Sequence, residues 1–262
     1  MKIRKTGLAA MLLFLILPGL SVAQEGEWLV APYIWAADVS WDLAARGDGT
    51  IEFSDIVDKL DGAGLIRVEY ARNKIGFTFD YVGMSLSDRR NFMIGPVNNS
   101  IQANVDLTVF EAGVFYRPSA TDSGIDIIAG VRDTDTDSNL IVIIGDTQPQ
   151  RLDAGSGFTD LYVGARYLHR LTESWDFSVR GDYGFGGSDG SLNLMAQVGW
   201  RSRGSFGMSL AYRHFAFDVD QRVEGESATS EFSFSGPALG LMFRFLSEYS
   251  YRGNIQCINS FC

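Results

Sequence analysis

Charged side chains recur in segments that are otherwise apolar. Arg67 and Glu69 stand in LIRVEY, Asp80 in FTFDYV, Glu111 in VFEAG, and Asp126 and Arg132 in IDIIAGVR. Further along come Arg166 in VGARY, Arg180 and Asp182 in VRGDYG, Arg213 in AYRHF and Arg244 in MFRF. A period of two places such residues on one face of a β-strand. If that face lines a narrow interior, guanidiniums and carboxylates can pair there through two parallel hydrogen bonds, with Gly and Ser leaving them room. Six arginines against five acids would then set the ion preference of any passage.

Three other groups could carry chemistry. His214 is followed by Asp218 and Asp220, and a histidine with carboxylates can activate water. A lipid-cleaving hydrolase would need a serine beside that histidine, yet HFA (214–216) has none two residues on. DTDTDSN (133–139) spaces Asp133, Asp135 and Asp137 like the start of a Ca²⁺ loop. It lacks the glycine at the sixth place and the acid at the twelfth, so solvated acids are the plainer reading. Cys257 and Cys262 lie close together in the last residues, where a disulfide would enclose a very small loop. Cys/His metal spacings, phosphate-binding glycine loops and nucleophile elbows are missing, so no cofactor, metal ligand or catalytic residue is assigned.

The elements that must position these groups are strands. Residues 69–83, 115–131, 165–184 and 199–215 repeat one plan: a strand ending in an aromatic, a short polar turn, then an aromatic-rich strand. A first strand over 28–41 and a last over 235–245 bring the count to ten, with eight or twelve left open. The other connections, about 42–61, 88–99, 133–156, 185–190 and 220–230, read as mostly longer loops. In the first of them FSDIVDKLD (53–61) suggests a short helix capped by Ser54. Short turns at one end and long loops at the other is the asymmetry of bacterial outer-membrane barrels. The fold expected is all-β, a single up-and-down antiparallel transmembrane barrel.

The N-terminus agrees. MKIRKTG is followed by the apolar LAAMLLFLILPGL and by Ser21-Val22-Ala23, the pattern of a secretory signal peptide cut after Ala23. Losing residues 1–23 removes Lys2, Arg4 and Lys5 and moves the net charge from −10 to −13. Such acidity argues against nucleic acid as a partner. No later segment approaches the length of a spanning helix, so membrane residence would be by strands. The division expected is a leader over 1–23, a barrel over 24–245 and a tail over 246–262.

Which strand face meets lipid follows from the rows themselves. In GSFGMSLAYR the residues Phe206, Met208, Leu210 and Tyr212 form an apolar row, and Arg213 belongs to the other. Equivalent apolar rows are Ile66, Val68, Tyr70; Phe77, Phe79, Tyr81; Leu192, Leu194, Ala196, Val198, Trp200; and, in the first strand, Tyr33, Trp35, Ala37, Val39. Tyr70, Tyr116, Tyr167, Trp175, Trp200, Phe206 and Phe245 gather near the turns, as in an aromatic girdle. One strand, 101–116, changes apolar phase near Val109-Phe110, which suggests a β-bulge.

At these residues the chain resembles a family of porin-like Gram-negative outer-membrane β-barrel proteins to which no activity is assigned. The matching stretches are APYIWAA (31–37), FSDIVDKLD, GVRDTDTD (130–137), TDLYVGARYLHRLTESWDFSVRGDYG (159–184), AYRHFAFDVD (211–220) and SGPALGLMFRF (235–245). The resemblance implies a barrel in the outer membrane, touching lipid and lipopolysaccharide and inserted by the barrel-assembly machinery. It transfers no catalytic residue. Asp133 and His214 depart from it, standing where aromatics are expected. Barrels of this kind usually end on an aromatic, and Phe245 fits that role despite the seventeen residues beyond it. The function expected is structural or a small porin-like passage. The alternative is an outer-membrane hydrolase, omptin-like or lipid-modifying, with a rim site around His214.

Overall fold

Alternation of apolar and polar residues, carried through almost every segment, leaves the chain one way to satisfy its backbone beside lipid: pair every strand and close the sheet. The computed structural model describes residues 26–43, 47–51, 60–94, 97–119, 123–144, 148–223 and 226–247. The leader, the helix expected within 53–61 (apart from its last two residues, which open a strand) and the cysteine tail lie outside these residues. The strands are β1 Gly26–Trp35, β2 Asp38–Leu43, β3 Gly47–Ile51, β4 Leu60–Arg72, β5 Ile75–Ile94 and β6 Val97–Tyr116. They continue as β7 Gly124–Ile144, β8 Gln150–Arg170, β9 Trp175–Phe185, β10 Gly190–Arg201, β11 Phe206–Val223 and β12 Glu226–Ser247.

Neighbours in sequence pair antiparallel from β4 to β12, and β1 pairs with both β4 and β12, which closes a ten-strand barrel. β2 continues β1 along β12 after a break at Ala36-Ala37, and β3 pairs with β2 as an arm beyond the closed part. At the break the Ala36 N–H donates to the Pro237 carbonyl at 2.8 Å. The backbones come so close there that a side chain at Gly236 would strike the Ala36 carbonyl. The β4–β5 turn needs a left-handed residue, and Asn73 supplies it at φ 56°.

Two expectations from the sequence are corrected here. The segments 88–99, 133–156 and 220–230 are strands for most of their length, not loops. β5 and β6 stay paired out to Ile94 opposite Val97, β7 and β8 to Val142 opposite Gln150, and β11 and β12 to Val223 opposite Glu226. Polar runs such as SDRRN (87–91) and the unbroken apolar run LIVII (140–144) do not alternate, which hides the period of two that marks a strand. The register of β5 against β6 also runs unbroken past Val109, so there is no bulge. The apolar phase changes because Leu107 and Val109 point inward into a second core.

Outside, an apolar belt encircles the barrel: Ile125, Ile127, Val131, Leu161, Val163, Leu194, Leu210 and Leu239 are all exposed. On β7 the belt runs from Ile125 to Val131 and stops at Asp133, Asp135 and Asp137, which face outward above it. On β9 the outward row from Trp175 to Phe185 spans 11 residues, the length a tilted strand needs to cross the hydrocarbon of a membrane. Rings collect at its turn-side edge, where Trp28 packs on Tyr70 at 4.7 Å and Phe206 lies between Trp200 and Phe243. Leu210, 61% exposed in mid-belt, gives a direct measure of lipid contact. Leu210→Arg is expected to lower the unfolding free energy in lipid vesicles by about 2–4 kcal/mol, read from a denaturant titration.

β1 corrects the sequence reading of its faces. Tyr33, Trp35 and Ala37 point inward, with Trp35 and Ala37 buried, while Trp28 and Ile34 face out. WLVAPYIW is apolar on both faces, so alternation alone could not fix its direction; the polar edges of Tyr33 and Trp35 find partners only inside.

Candidate functional site

Inside the barrel the charged residues form rows laid down by the strand register. Arg67 stands opposite Asp80, Asp80 opposite Glu111, Glu111 opposite Arg132, and Arg132 opposite Asp160. Asp126 stands opposite Arg166, and Arg166 opposite Arg180. These registers set unlike charges side by side at Arg67–Asp80, Glu111–Arg132, Arg132–Asp160 and Asp126–Arg166. They set like charges together at Asp80–Glu111 and Arg166–Arg180, and the curve of the barrel brings β9 to β11 across to answer them.

At mid-height the groups knit into one network. Glu111 accepts from three guanidiniums: Arg132 Nε at 3.1 Å, Arg180 at 2.8 Å and Arg213 at 3.1 Å. Arg132 also bonds Asp182 and donates to Ser191 at 3.1 Å. Arg180 closes the ring by donating Nε to Asp182 at 2.7 Å, and Asn193 donates to the same carboxylate at 2.8 Å. Arg213 spends its remaining donors on Asn193, Tyr33 and Asp80. Asp80 accepts from Tyr33 at 2.7 Å and from Arg67 at 2.8 Å. Arg132, Glu111, Asp80, Asp182, Arg180 and Arg213 are each buried. Charges in that position are tolerable only because nearly every donor meets an acceptor.

Aromatic faces complete the cage. The Arg132 guanidinium lies between Tyr162 at 5.0 Å and Phe215 at 5.1 Å, and Arg213 lies 5.1 Å from Trp35. Attraction of a desolvated cation by a ring adds to the ion pairs. Tyr162 reaches this position because Gly113 and Gly130 leave its ring uncrowded; a side chain at either would strike it.

A second group sits nearer the turns. Arg166 bonds both oxygens of Glu69 at 2.6 and 2.9 Å and reaches Asp126 at 2.9 Å, while Arg117 grips Asp126 at 2.7 Å. Both arginines lie over Phe115. Arg244 stands apart at the mouth, 3.5 Å from Glu27 and 3.7 Å from Asp176, where Arg201 also pairs at 3.0 Å. Toward the far end the lumen is apolar. Trp35, Leu65, Val82, Leu107, Val109, Phe158, Phe215, Phe217, Val219 and Phe234 pack above the charged layer.

Of the charged residues read from sequence, ten lie in these two groups and Arg244 lies at the mouth. Sequence reasoning misses Tyr33, Arg117, Asp160, Tyr162, Asp176, Ser191, Asn193 and Arg201. Asp160 and Tyr162 are within its reach, since they continue the Arg166 row at steps of two. Arg117 is not, because it follows the last residue of β6 and reads as turn. Asp160 pins the β9–β10 turn by accepting from the Gly187 and Ser188 backbone and from Ser188 and Ser191 hydroxyls.

His214 is on the outer wall, opposite Leu194 of the apolar belt. Its Nδ1 lies 2.7 Å from Ser235 Oγ, across the β11–β12 ladder. The serine that chain proximity does not provide comes from the neighbouring strand. Asp218 follows on the same outer face, one further step beyond Ala216. Among the described residues no group of three or more His, Cys, Asp or Glu stands close enough to hold a metal ion.

Neither a family model nor a curated protein matches the chain. Among solved structures it is similar to the outer membrane protease OmpT from Escherichia coli, at 10% identity and a TM-score of 0.52, over 87% of this chain and 99% of that one. The attachment invasion locus protein Ail of Yersinia pestis matches at 8% identity and a TM-score of 0.37, over 86% of this chain and 100% of that one. The translocator domain of the autotransporter NalP from Neisseria meningitidis matches at 9% and 0.43, over 92% and 94%. At such identity the likeness to OmpT is one of fold, that of an outer-membrane β-barrel, and brings no site with it.

Proposed function

We propose that this chain is a structural barrel of the Gram-negative outer membrane, exported by a cleaved leader and standing with its short turns in the periplasm. The carrying observation is the plug across the lumen. An ion-paired layer crosses it at mid-height, and a packed apolar layer lies directly beyond. A hydrated ion entering from the turns would have to break several buried salt bridges and then cross Phe215, Phe217 and Phe234. That favours an envelope-stabilising role over a small passage. Asp133, Asp135 and Asp137, just above the belt, are placed to meet lipopolysaccharide phosphates through divalent ions. Planar-bilayer recording of the purified, folded protein is the test. No stable unitary conductance is expected; reproducible steps whose ion preference changes when Arg132 or Arg213 is neutralised would replace this reading with the passage.

One observation favours a second reading, a rim hydrolase acting on envelope lipids. The His214–Ser235 pair faces the outer leaflet, where an acyl ester could approach the hydroxyl while the imidazole takes its proton. Its test is release of fatty acid from lipopolysaccharide or phospholipid vesicles. If Ser235→Ala and His214→Ala release as much as the parent, that reading is removed.

A further inference from the structure

The half of the lumen nearest the turns is not filled. It encloses about 190 Å³, with Tyr33, Arg67, Met195 and Arg213 at its floor and Arg201 and Arg244 at its mouth. A water needs about 10–15 Å³ of such space, so the cavity has on the order of a dozen water-sized places. Leu29, Ala31, Leu168, Ala211 and Met242 supply apolar wall between the charges.

The charge seen from within this space is one-sided. Seven arginines line it (67, 117, 166, 170, 201, 213 and 244) against three acids, Glu27, Glu69 and Asp176. The carboxylates of Asp80 and Glu111, which answer the deepest arginines, and of Asp126, which answers Arg117 and Arg166, sit behind them with almost no exposed surface. An excess of cations in a poorly solvated space attracts an anion strongly.

Arg67 shows the excess at atomic level. Arg213 beside it gives every nitrogen an oxygen acceptor. Arg67 has one carboxylate, Asp80, on Nη2. Its other contacts are the Met195 sulfur, 3.7 Å from Nη1 and 3.8 Å from Nη2. A thioether is a weak acceptor. Its Nε–H is buried with no acceptor among the described residues. A partly buried guanidinium so poorly answered gains from any further acceptor. At the mouth Arg201 and Arg244 share Asp176, and the Arg201 Nε–H is likewise unmatched.

We propose that this cavity binds a small organic carboxylate with a short apolar chain, its oxygens on Arg67 and its chain along Leu29, Ala31, Ala211 and Met242. The ligand enters from the turn end, because the network and the aromatic layer block the other. Two features select this class. Nη1 of Arg67, answered only by a thioether, asks for an anion, and the aliphatic wall rewards a hydrocarbon body that bare phosphate or sulfate lacks. The inference rests on the reading that the far half of the lumen is blocked, and is independent of the His214–Ser235 pair, which does not touch the cavity.

Hexanoate, with eight heavy atoms, is a suitable probe. The experiment is isothermal titration of the full folded chain in non-ionic detergent, each variant first shown to keep the heat-modifiable mobility of a closed barrel. One saturable hexanoate site is expected, weakened about tenfold or more in Arg67→Gln. Ala211→Leu, which fills the cavity and removes no charge, should weaken it similarly, and Arg203→Gln in an exposed turn should not. Hexan-1-ol should show no saturable binding. The proposal is overturned if hexanoate does not saturate, if hexan-1-ol binds as well, or if Ala211→Leu binds like the parent. Should Arg67→Gln fail to close, Ala211→Leu decides alone.

Discussion

Glu111→Gln is expected to cost the barrel about 3–5 kcal/mol, enough to prevent folding in a chain of ordinary stability. Glutamine keeps the shape of glutamate but removes its charge and replaces one acceptor oxygen with an NH2 that must face a guanidinium N–H. In the parent, four arginines of the central layer (67, 132, 180 and 213) face three acids, Asp80, Glu111 and Asp182. Without Glu111 the same four cations face two acids, and Arg132, Arg180 and Arg213 each lose their shared partner. Urea titration in detergent, followed by tryptophan fluorescence, measures the change. Two controls make it specific. Glu69→Gln should cost far less, because Arg166 keeps Asp126. Glu111→Gln with Arg213→Gln should cost less than the two single changes added, since the second removes a cation that the first leaves unanswered. Strict additivity would mean that the network is a set of independent pairs.

Much of this layer is legible in the amino-acid sequence. Wherever one strand face carries Arg, Asp or Glu and the other carries Leu, Val or Phe, a step of two assigns every residue to lumen or lipid. β4, β7, β8 from Asp160 on, β9 and β11 are of that kind, and Arg67, Arg132, Arg166, Arg180 and Arg213 come from them. Alternation misleads where both faces share one character. In β1 both are apolar, so it puts Tyr33 and Trp35 outside although they point inward. In the outer parts of β5 to β8, β11 and β12 alternation is interrupted by polar runs such as SDRRN (87–91) or by the apolar run LIVII (140–144), and strand reads as loop. The apparent phase change in β6 has a different origin. It marks the height at which the lumen turns from ionic to apolar, and a one-dimensional pattern cannot separate that from a shift in register.

The chemistry of the site is less legible than its composition. Periodicity assigns Arg132 to the interior but does not say that Glu111, Asp182 and Ser191 converge on it from three other strands. Such contacts depend on barrel curvature, which no local pattern encodes. The His214–Ser235 pair shows the same limit at short range. Its partners are 21 residues apart, and only the β11–β12 register makes them neighbours.

Phe215→Ala should destabilise the barrel by about 3–5 kcal/mol, by a different route. Phe215 is fully buried where the ionic and apolar layers meet. One side packs on Phe217 at 5.6 Å and Phe234 at 6.5 Å, and another lies against the Arg132 guanidinium. Alanine leaves a cavity the barrel wall cannot collapse into, because the hydrogen-bonded ladder fixes its radius. The variant also takes away one of the two rings that screen Arg132 from the apolar layer. Phe217→Ala is the informative comparison: it opens a similar void one step further from the charges, so the difference between the two isolates what the Arg132 contact contributes. A larger loss for Phe215, reduced when Arg132 is changed to methionine in the same chain, is the expected outcome. Equal losses at both positions would assign Phe215 a packing role alone. The ionic and aromatic layers would then be stacked without being coupled, and the closed lumen would rest on two separable barriers.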